Sequence, residues 1–324
     1  MGKRAKSWSF DQQVREAERA LRGNDSLDAH VKFFEESFSD SNRGPHNLGP
    51  LFQMSLGVTY WHEALLKVEK TPNEAWERIH LVWRGDALTQ RVHLERLTQM
   101  ARDFPDRHRR GRLGIASIDY DFLGQMLLSV AFSTSLGEDE AAWWLGDRLV
   151  QLAVNHDTIT NSNMLTTGYT EPFLFRLYCA WRRQDVDLSE LGVKDYGPFR
   201  AFFDRWHNAA AIEAATLELC RLHASKSANV DREDSDLVFG LQSGPFQELP
   251  VEILFLQRVR RDLGLSVPNP EHPLLRSPLM RIPYPCPRSG FDPYLHRVYT
   301  KCKEMMPYLT IPWEEEIGRQ KHTL

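Results

Sequence analysis

The stretch from 244 to 265, GPFQELPVEILFLQRVRRDLGL, constrains the fold more than any other part of this chain. Pro250 suits the first position of a helix and Gly264 supplies a glycine stop, so the pattern predicts a helix of about 14 residues. Its apolar side chains recur at helical spacing: Val251, Phe255, Leu256, Val259 and Leu263. Because Ile253 and Leu254 make the first half apolar almost all round, we expect this helix to be buried in a helical core.

Two carboxylates fall on apolar helix faces. Glu252 lies within the stripe just described, and Glu213 lies between the Trp206 and Leu217 turns of another predicted helix. A buried carboxylate is costly unless it is hydrogen-bonded or paired. We favour a structural role, in which each meets an arginine or a backbone donor. The alternative is an acid/base or metal-binding pair in a helical enzyme.

The composition is that of a globular chain long enough for two compact domains. It has 324 residues, of which 42% are hydrophobic and 26% charged. A formal net charge of −4 gives no general attraction to nucleic acid or to an anionic membrane. Neither is therefore expected as a partner.

The cysteines and the start of the chain bear on the compartment. The four cysteines are widely scattered and form no CxxC pair, which is typical of a reducing compartment. No apolar segment follows the basic start MGKRAKSWSF, as a secretory signal would require. No run approaches the roughly 18 apolar residues of a membrane span. The sequence therefore predicts a cytoplasmic protein.

Helical periodicity and clear punctuation predict an all-α fold, with antiparallel helical hairpins packed as a two-part bundle. Strand patterns are nearly absent from the sequence. The predicted helices cover approximately these ranges: 8–22, 26–38, 51–69, 71–102 with an interruption near Gly85, 117–136, 138–155, 170–183, 199–224 as the longest, 250–263 and 292–306.

The loops divide the chain. By composition they are predicted at 39–50, 156–169 and 224–236, with an arginine-rich linker at 106–114. We place an N-terminal helical domain at 1–105, a C-terminal helical domain at 115–285 and an extension at 286–324. The end of that extension is expected to be loosely held.

No motif survives as a catalytic or metal site. Tyr60-Trp61-His62-Glu63 begins like a zinc-protease helix, but Leu66 stands where the second histidine is required. The single Glu-x-x-His match, Glu77 to His80, is one copy of a pattern that di-iron sites need twice. In GLQSG (240–244) the serine is one position too late for a nucleophile elbow. We therefore predict no enzyme, no catalytic residues, no metal and no cofactor.

A better functional clue lies on the helix predicted from Glu138. Its core face is expected to contain Ala141, Ala142, Leu145, Leu149 and Leu152. Trp144 then falls on the opposite side among acidic residues, as a binding hot spot would. Alternatively, Trp144 is covered by a neighbouring helix or by the loop 156–169. With the acidic loop DREDSD, the candidate partner-binding residues are Glu138, Asp139, Glu140, Trp144, Asp147, Asp231, Glu233, Asp234 and Asp236.

The order of features from about 117 to 270 resembles the C-terminal domain of PoNi-type bacterial immunity proteins. The similarity is one of pattern, carried by these segments: Asp119-Tyr120-Asp121 before FLGQMLLSVAFSTSLG, then EDEAAWWLGDRLV, EPFLFRLYCAW, a long helix with Trp206, and FQELPVEILFLQRVRRDLGL. The chain departs from the family before the last helix, where GLQSGPFQELP replaces a Tyr-Gly-Tyr-Trp type of sequence.

This resemblance implies an all-helical protein without catalytic activity. Members of the family neutralise toxins delivered between competing bacteria, as by type VI secretion, and often present an acidic surface to a nuclease toxin. The leading expectation is an immunity or antitoxin-like protein that binds a cognate toxin acting in the cytosol. The alternatives are a helical scaffold or regulator with a partner other than a toxin, and the carboxylate-dependent enzyme.

Overall fold

The computed structural model describes residues 8–22, 26–39, 44–103, 120–154, 170–189, 193, 196–228, 245–290 and 292–314. These residues form helices and connecting turns, with no strand among them, so the predicted all-α class is confirmed. In chain order the α-helices are α1 (Phe10–Arg22), α2 (Leu27–Phe38), α3 (Pro45–Phe52), α4 (Val58–Lys67), α5 (Pro72–Asp103), α6 (Tyr120–Leu136), α7 (Asp139–Val154), α8 (Thr170–Arg182), α9 (Arg200–Asp204), α10 (Ala209–Ala228), α11 (Val251–Asp262) and α12 (Pro293–Met305).

The chain divides into two compact units. The first unit contains Asp11–Asp103, Leu136–Ala141 and Ile282–Leu324, and the second contains Met1–Phe10, Phe104–Ser135 and Ala142–Arg281. The division after Asp103 lies beside the boundary expected at 105. The residues predicted as a separate extension, 286–324, group instead with the N-terminal helices.

In the first unit, α3 and α4 pack against the long helix α5. α5 runs without a break, so the predicted interruption near Gly85 is wrong. A Cβ atom on Gly85 would lie 2.5 Å from Cε1 of Phe52, closer than carbon atoms can approach. Gly85 therefore lets α3 approach α5 closely. The burial of Phe52 that this permits compensates for the low helix propensity of glycine.

The loop predicted at 39–50 is wrong in its second half, because α3 begins at Pro45. Pro45 is tolerated there because the first helical N–H has no intrahelical partner. Pro50 lies inside the helix and forgoes one backbone hydrogen bond. The compensation is the burial of Leu48, Leu51 and Phe52. A π-helical turn, Gln53–Gly57, then joins α3 to α4.

In the second unit, α11 packs against α8 and α10. Its predicted apolar stripe is buried at Val251, Phe255, Leu256 and Val259. Gly264 adopts a φ of +71°, a conformation that costs glycine little. The Leu265 N–H then donates to the Arg260 carbonyl at 2.8 Å, which closes the helix end. The predicted stop at Gly264 is confirmed.

The single helix predicted over 199–224 is wrong. The chain leaves α9 after Asp204 and starts α10 at Ala209, where the Asn208 side chain accepts a hydrogen bond from the Ala211 N–H at 3.0 Å. The break leaves the Trp206 carbonyl outside a helix, where it accepts a hydrogen bond from Arg260 Nη1 at 2.7 Å. A distant side chain thus compensates for the interruption, and α5 is the longest described helix.

The expectation of a loosely held C-terminal end is wrong for residues up to 314. Leu309, Ile311 and Trp313 are buried in the first unit. The Trp313 and Trp83 rings meet edge to face with centroids 5.1 Å apart. Arg91 Nη2 donates to Thr310 Oγ1 at 2.8 Å. The segment therefore completes the core of the first unit.

Among the described residues, no helix combines the length and the apolar character needed to cross a membrane.

Candidate interaction surface

Helix α7 buries the part of its predicted core face that the structure describes, whereas the side chain of Leu152 lies outside the described residues. Ala141, Ala142, Leu145 and Leu149 are buried. Glu140 and Arg148 are exposed, and Trp144 between them is half-buried. The Arg148 guanidinium lies 6.0 Å from the centroid of the Trp144 indole ring. An acidic, an aromatic and a basic side chain therefore follow one another at intervals of one helical turn.

Asp147 has partners within the second unit. Its carboxylate accepts hydrogen bonds from Tyr178 Oη at 2.7 Å, from Gln184 Nε2 at 3.1 Å and from Arg182 Nη2 at 3.2 Å. Burial, followed by the Asp147 charge, raises the pKa of Tyr178 above its usual range, so the phenol stays protonated and donates. Asp147 therefore joins α7 to the end of α8, and its charge is balanced by Arg182.

Two further tryptophans lie next to this network. The Trp143 and Trp181 rings are 6.1 Å apart, and the Arg182 guanidinium lies 4.8 Å from the Trp143 centroid. Trp181 Nε1 donates to Asp262 Oδ2 at 2.9 Å, and Arg258 Nε donates to the same oxygen at 2.8 Å. The surface formed by α7, α8 and α11 is therefore aromatic and of mixed charge.

Glu138 is used inside the first unit. Its Oε1 atom accepts a hydrogen bond from His80 Nε2 at 3.0 Å and lies 3.3 Å from Arg288 Nε. The backbone N–H of Ser289 donates to His80 Nδ1 at 3.2 Å, so Nδ1 is an acceptor and Nε2 carries the proton. Burial lowers the pKa of His80, which agrees with a neutral ring. Glu138 thus fixes the orientation of the His80 ring through a hydrogen bond, and His80 in turn binds the backbone of the segment around Ser289.

The other predicted partner-binding residues are divided between described and undescribed parts of the chain. Asp139 is half-buried at the start of α7. Asp231, Glu233, Asp234 and Asp236 lie outside the described residues, as do the predicted linker at 106–114 and the loop at 156–169.

Glu252 is fully buried, as expected, but its partner is a histidine and not an arginine or a backbone donor. Its Oε1 atom lies 2.7 Å from His223 Nδ1, and the Gln247 carbonyl lies 3.2 Å from His223 Nε2. Both neighbours of the imidazole are acceptors, which favours a doubly protonated ring. Burial alone lowers the pKa of His223, but Glu252 and the Gln247 carbonyl outweigh it and raise the pKa above its usual value.

Glu213 differs from its expected position. It is half-buried, and its Oε2 atom accepts a hydrogen bond from the Asn269 N–H at 2.9 Å, a backbone donor as expected. The break before α10 explains the difference, because Glu213 lies in the second turn of a new helix. Glu213 and Glu252 therefore have separate partners.

Sequence reasoning missed Arg260 and Glu171. Arg260 is fully buried and donates from Nε to the Ser266 carbonyl at 2.7 Å, in addition to its bond to Trp206. Burial lowers its pKa. No local signal separates it from the exposed Arg261 beside it. Glu171 is buried in the first turn of α8, where burial raises its pKa to about 7 and its Oε2 atom has no hydrogen-bond partner.

Among the described residues, no group of three or more histidine, cysteine, aspartate and glutamate side chains is placed to hold a metal ion. Comparisons of the chain with protein-family models, with curated proteins and with solved structures find no match.

Proposed function

We propose that this protein is an immunity protein that binds and neutralises a cognate bacterial toxin, and that it acts in the cytoplasm. Support comes from the all-α fold and from the resemblance over 117–270 to PoNi-type immunity proteins. Occlusion of a toxin requires a shaped surface and no catalytic group, so the protein would act by binding alone.

The observation that carries this proposal is the position of Trp144. It is half-buried between the exposed Glu140 and Arg148 on α7. Tryptophan and arginine are enriched among the residues that dominate the binding energy of protein interfaces, and tryptophan buries a large area with little loss of side-chain entropy. The Asp147 network holds α7 and α8 together behind this position, so the surface is organised before a partner binds.

The proposed contact residues are Glu140, Trp144 and Arg148, together with the acidic residues predicted from the sequence at 231–236, which lie outside the described residues. Asp147 supports this surface from within the second unit, whereas Glu138 is occupied by His80 and Arg288. An acidic loop would accelerate association with a basic toxin such as a nuclease through electrostatic steering.

The direct test is co-expression with the product of the neighbouring open reading frame, which we expect to be a secreted toxin. We expect protection of a toxin-sensitive host and a complex that can be measured by isothermal titration calorimetry. Trp144→Ala should raise the dissociation constant at least tenfold, or about 1.4 kcal/mol, because a central tryptophan is lost. A matched control is Tyr308→Ala, which removes an exposed aromatic ring from the first unit.

The outcomes distinguish an error in the proposed binding surface from an error in the proposed immunity function. Protection with unchanged affinity for Trp144→Ala would leave the function intact and reject this surface. Absence of both protection and complex would reject immunity and favour a scaffold or regulator with a partner other than a toxin.

A further inference from the structure

Glu140, Trp144 and Arg148 form a stripe along α7. The two charged residues lie at equal distances on either side of Trp144 and carry opposite charges. All three side chains lie on one unbroken helix, so their spacing is set by α7 itself. Each charged residue is four positions from Trp144, about 6 Å along the axis at 1.5 Å per residue. Both charged side chains are exposed.

Such a stripe is complementary to itself. When two copies of α7 lie antiparallel around a twofold axis at Trp144, a residue n positions after Trp144 faces one n positions before it in the other copy. Glu140 of each copy then meets Arg148 of the other, and the two Trp144 rings meet at the centre. A twofold interface uses the same surface on both subunits, so each favourable pair occurs twice.

We propose that, in the absence of another partner, two copies of this chain associate through α7 in this antiparallel arrangement. The charge pattern supports a second copy as the occupant, since a parallel arrangement would place like charges together. The stripe is short compared with the area of stable interfaces, so the dimer is weak, with a dissociation constant on the order of 100 µM. The inference concerns the protein alone and stands whether or not the proposed function is correct.

Sedimentation equilibrium of the full chain between about 10 µM and 1 mM tests the association. Glu140→Arg and Arg148→Glu should each raise the dissociation constant at least tenfold, because each turns two attractive pairs into repulsive ones. The double variant Glu140→Arg/Arg148→Glu restores both pairs and should return to within about threefold of the natural chain. Far-UV circular dichroism checks that α7 and the rest of the fold are retained.

Matched controls reverse the same charges on helices other than α7. Arg200→Glu alters an exposed arginine of α9, and Glu218→Arg alters an exposed glutamate of α10. Both should leave the dissociation constant unchanged. A chain that stays monomeric throughout the concentration range, or a dimer that tolerates the single reversals, would overturn the proposal.

Cysteine cross-linking tests the register independently. The four natural cysteines are buried, so an introduced surface cysteine is the reactive one. Trp144→Cys should form a disulfide-linked dimer on mild oxidation, because this position faces itself. Glu140→Cys alone should not, since its two copies lie about 12 Å apart along the axis, but it should cross-link when mixed with Arg148→Cys. Equal cross-linking of all three single variants with themselves would contradict the antiparallel register.

Discussion

Nδ1 of His223 lies 2.7 Å from Oε1 of Glu252, and neither side chain is exposed to solvent. The pair joins α10 to α11, two helices whose contacting residues are 29 positions apart in the chain. Removal of one partner would leave the other buried without its counter-charge. We expect His223→Leu or Glu252→Gln to lower the free energy of unfolding by about 3–5 kcal/mol. Urea denaturation at pH 7 measures this change in the free energy of unfolding.

The double variant His223→Leu/Glu252→Leu is the control for this pair. Replacing both groups by apolar side chains removes the buried charge altogether, so the double variant should lose less stability than either single variant. Equal or additive losses would show that the two residues do not act as a pair.

The stability conferred by His223 should depend on pH in a definite direction. Its pKa is raised in the folded protein, so its stabilisation is complete below the unfolded value of about 6.5 and is lost as the pH rises through the folded pKa. Glu248 and Glu252 favour the charged His223 ring. The pKa of His272 is lowered by burial and by the charges of Arg221 and His223. The free energy of unfolding should therefore fall above pH 6.5 more steeply in the natural chain than in the double leucine variant. Parallel pH profiles would contradict a protonated His223.

The pKa of Glu171 is also raised, but here the fold favours the neutral form of the side chain. Burial raises its pKa in the folded protein to about 7, above the usual value of 4.5, so the folded protein binds an additional proton between these values. Stability should decline as the pH rises from about 4.5 to 7, because a buried carboxyl must ionise. Glu171→Gln keeps the shape without the ionisation and should remove this part of the pH profile. Thermal melts of both proteins at pH 5 and pH 8 would show a gain for the variant at pH 8.

Gly85 should tolerate no side chain. A Cβ atom there would meet Phe52 at 2.5 Å, so Gly85→Ala should cost about 1–3 kcal/mol through overpacking, although alanine favours helices. Gly290→Ala is the matched control, because an added Cβ meets nothing within 4 Å. A melting temperature for Gly85→Ala at or above that of the natural chain would show that α3 and α5 can separate without cost.

The features that could be predicted from the sequence are those whose signals are local. Ser26 caps α2 through the Ala29 N–H, Asp292 caps α12 through the Leu295 N–H, and Gly264 ends α11. Each depends on neighbours within a few positions. The two faces of α7 follow from helical spacing in the same way.

The features that could not be predicted depend on partners distant in sequence. The break between α9 and α10 is stabilised by Arg260, more than 50 positions later. From the sequence alone Gly85 predicts a helix break, because its contact with Phe52 of α3 cannot be inferred from its neighbours in the chain. Likewise, Glu138 and Asp147 look like surface acids, because His80 and Arg182 cannot be assigned to them from spacing.

The contact between Trp83 and Trp313 has a consequence for how the chain is made. Both residues belong to the first unit, but Trp313 is translated 230 residues after Trp83. The second-unit segments Phe104–Ser135 and Ala142–Arg281 are synthesised between them. The helices around Trp83 must therefore wait for the segment around Trp313, and the core of the first unit can close only after these second-unit segments have been synthesised.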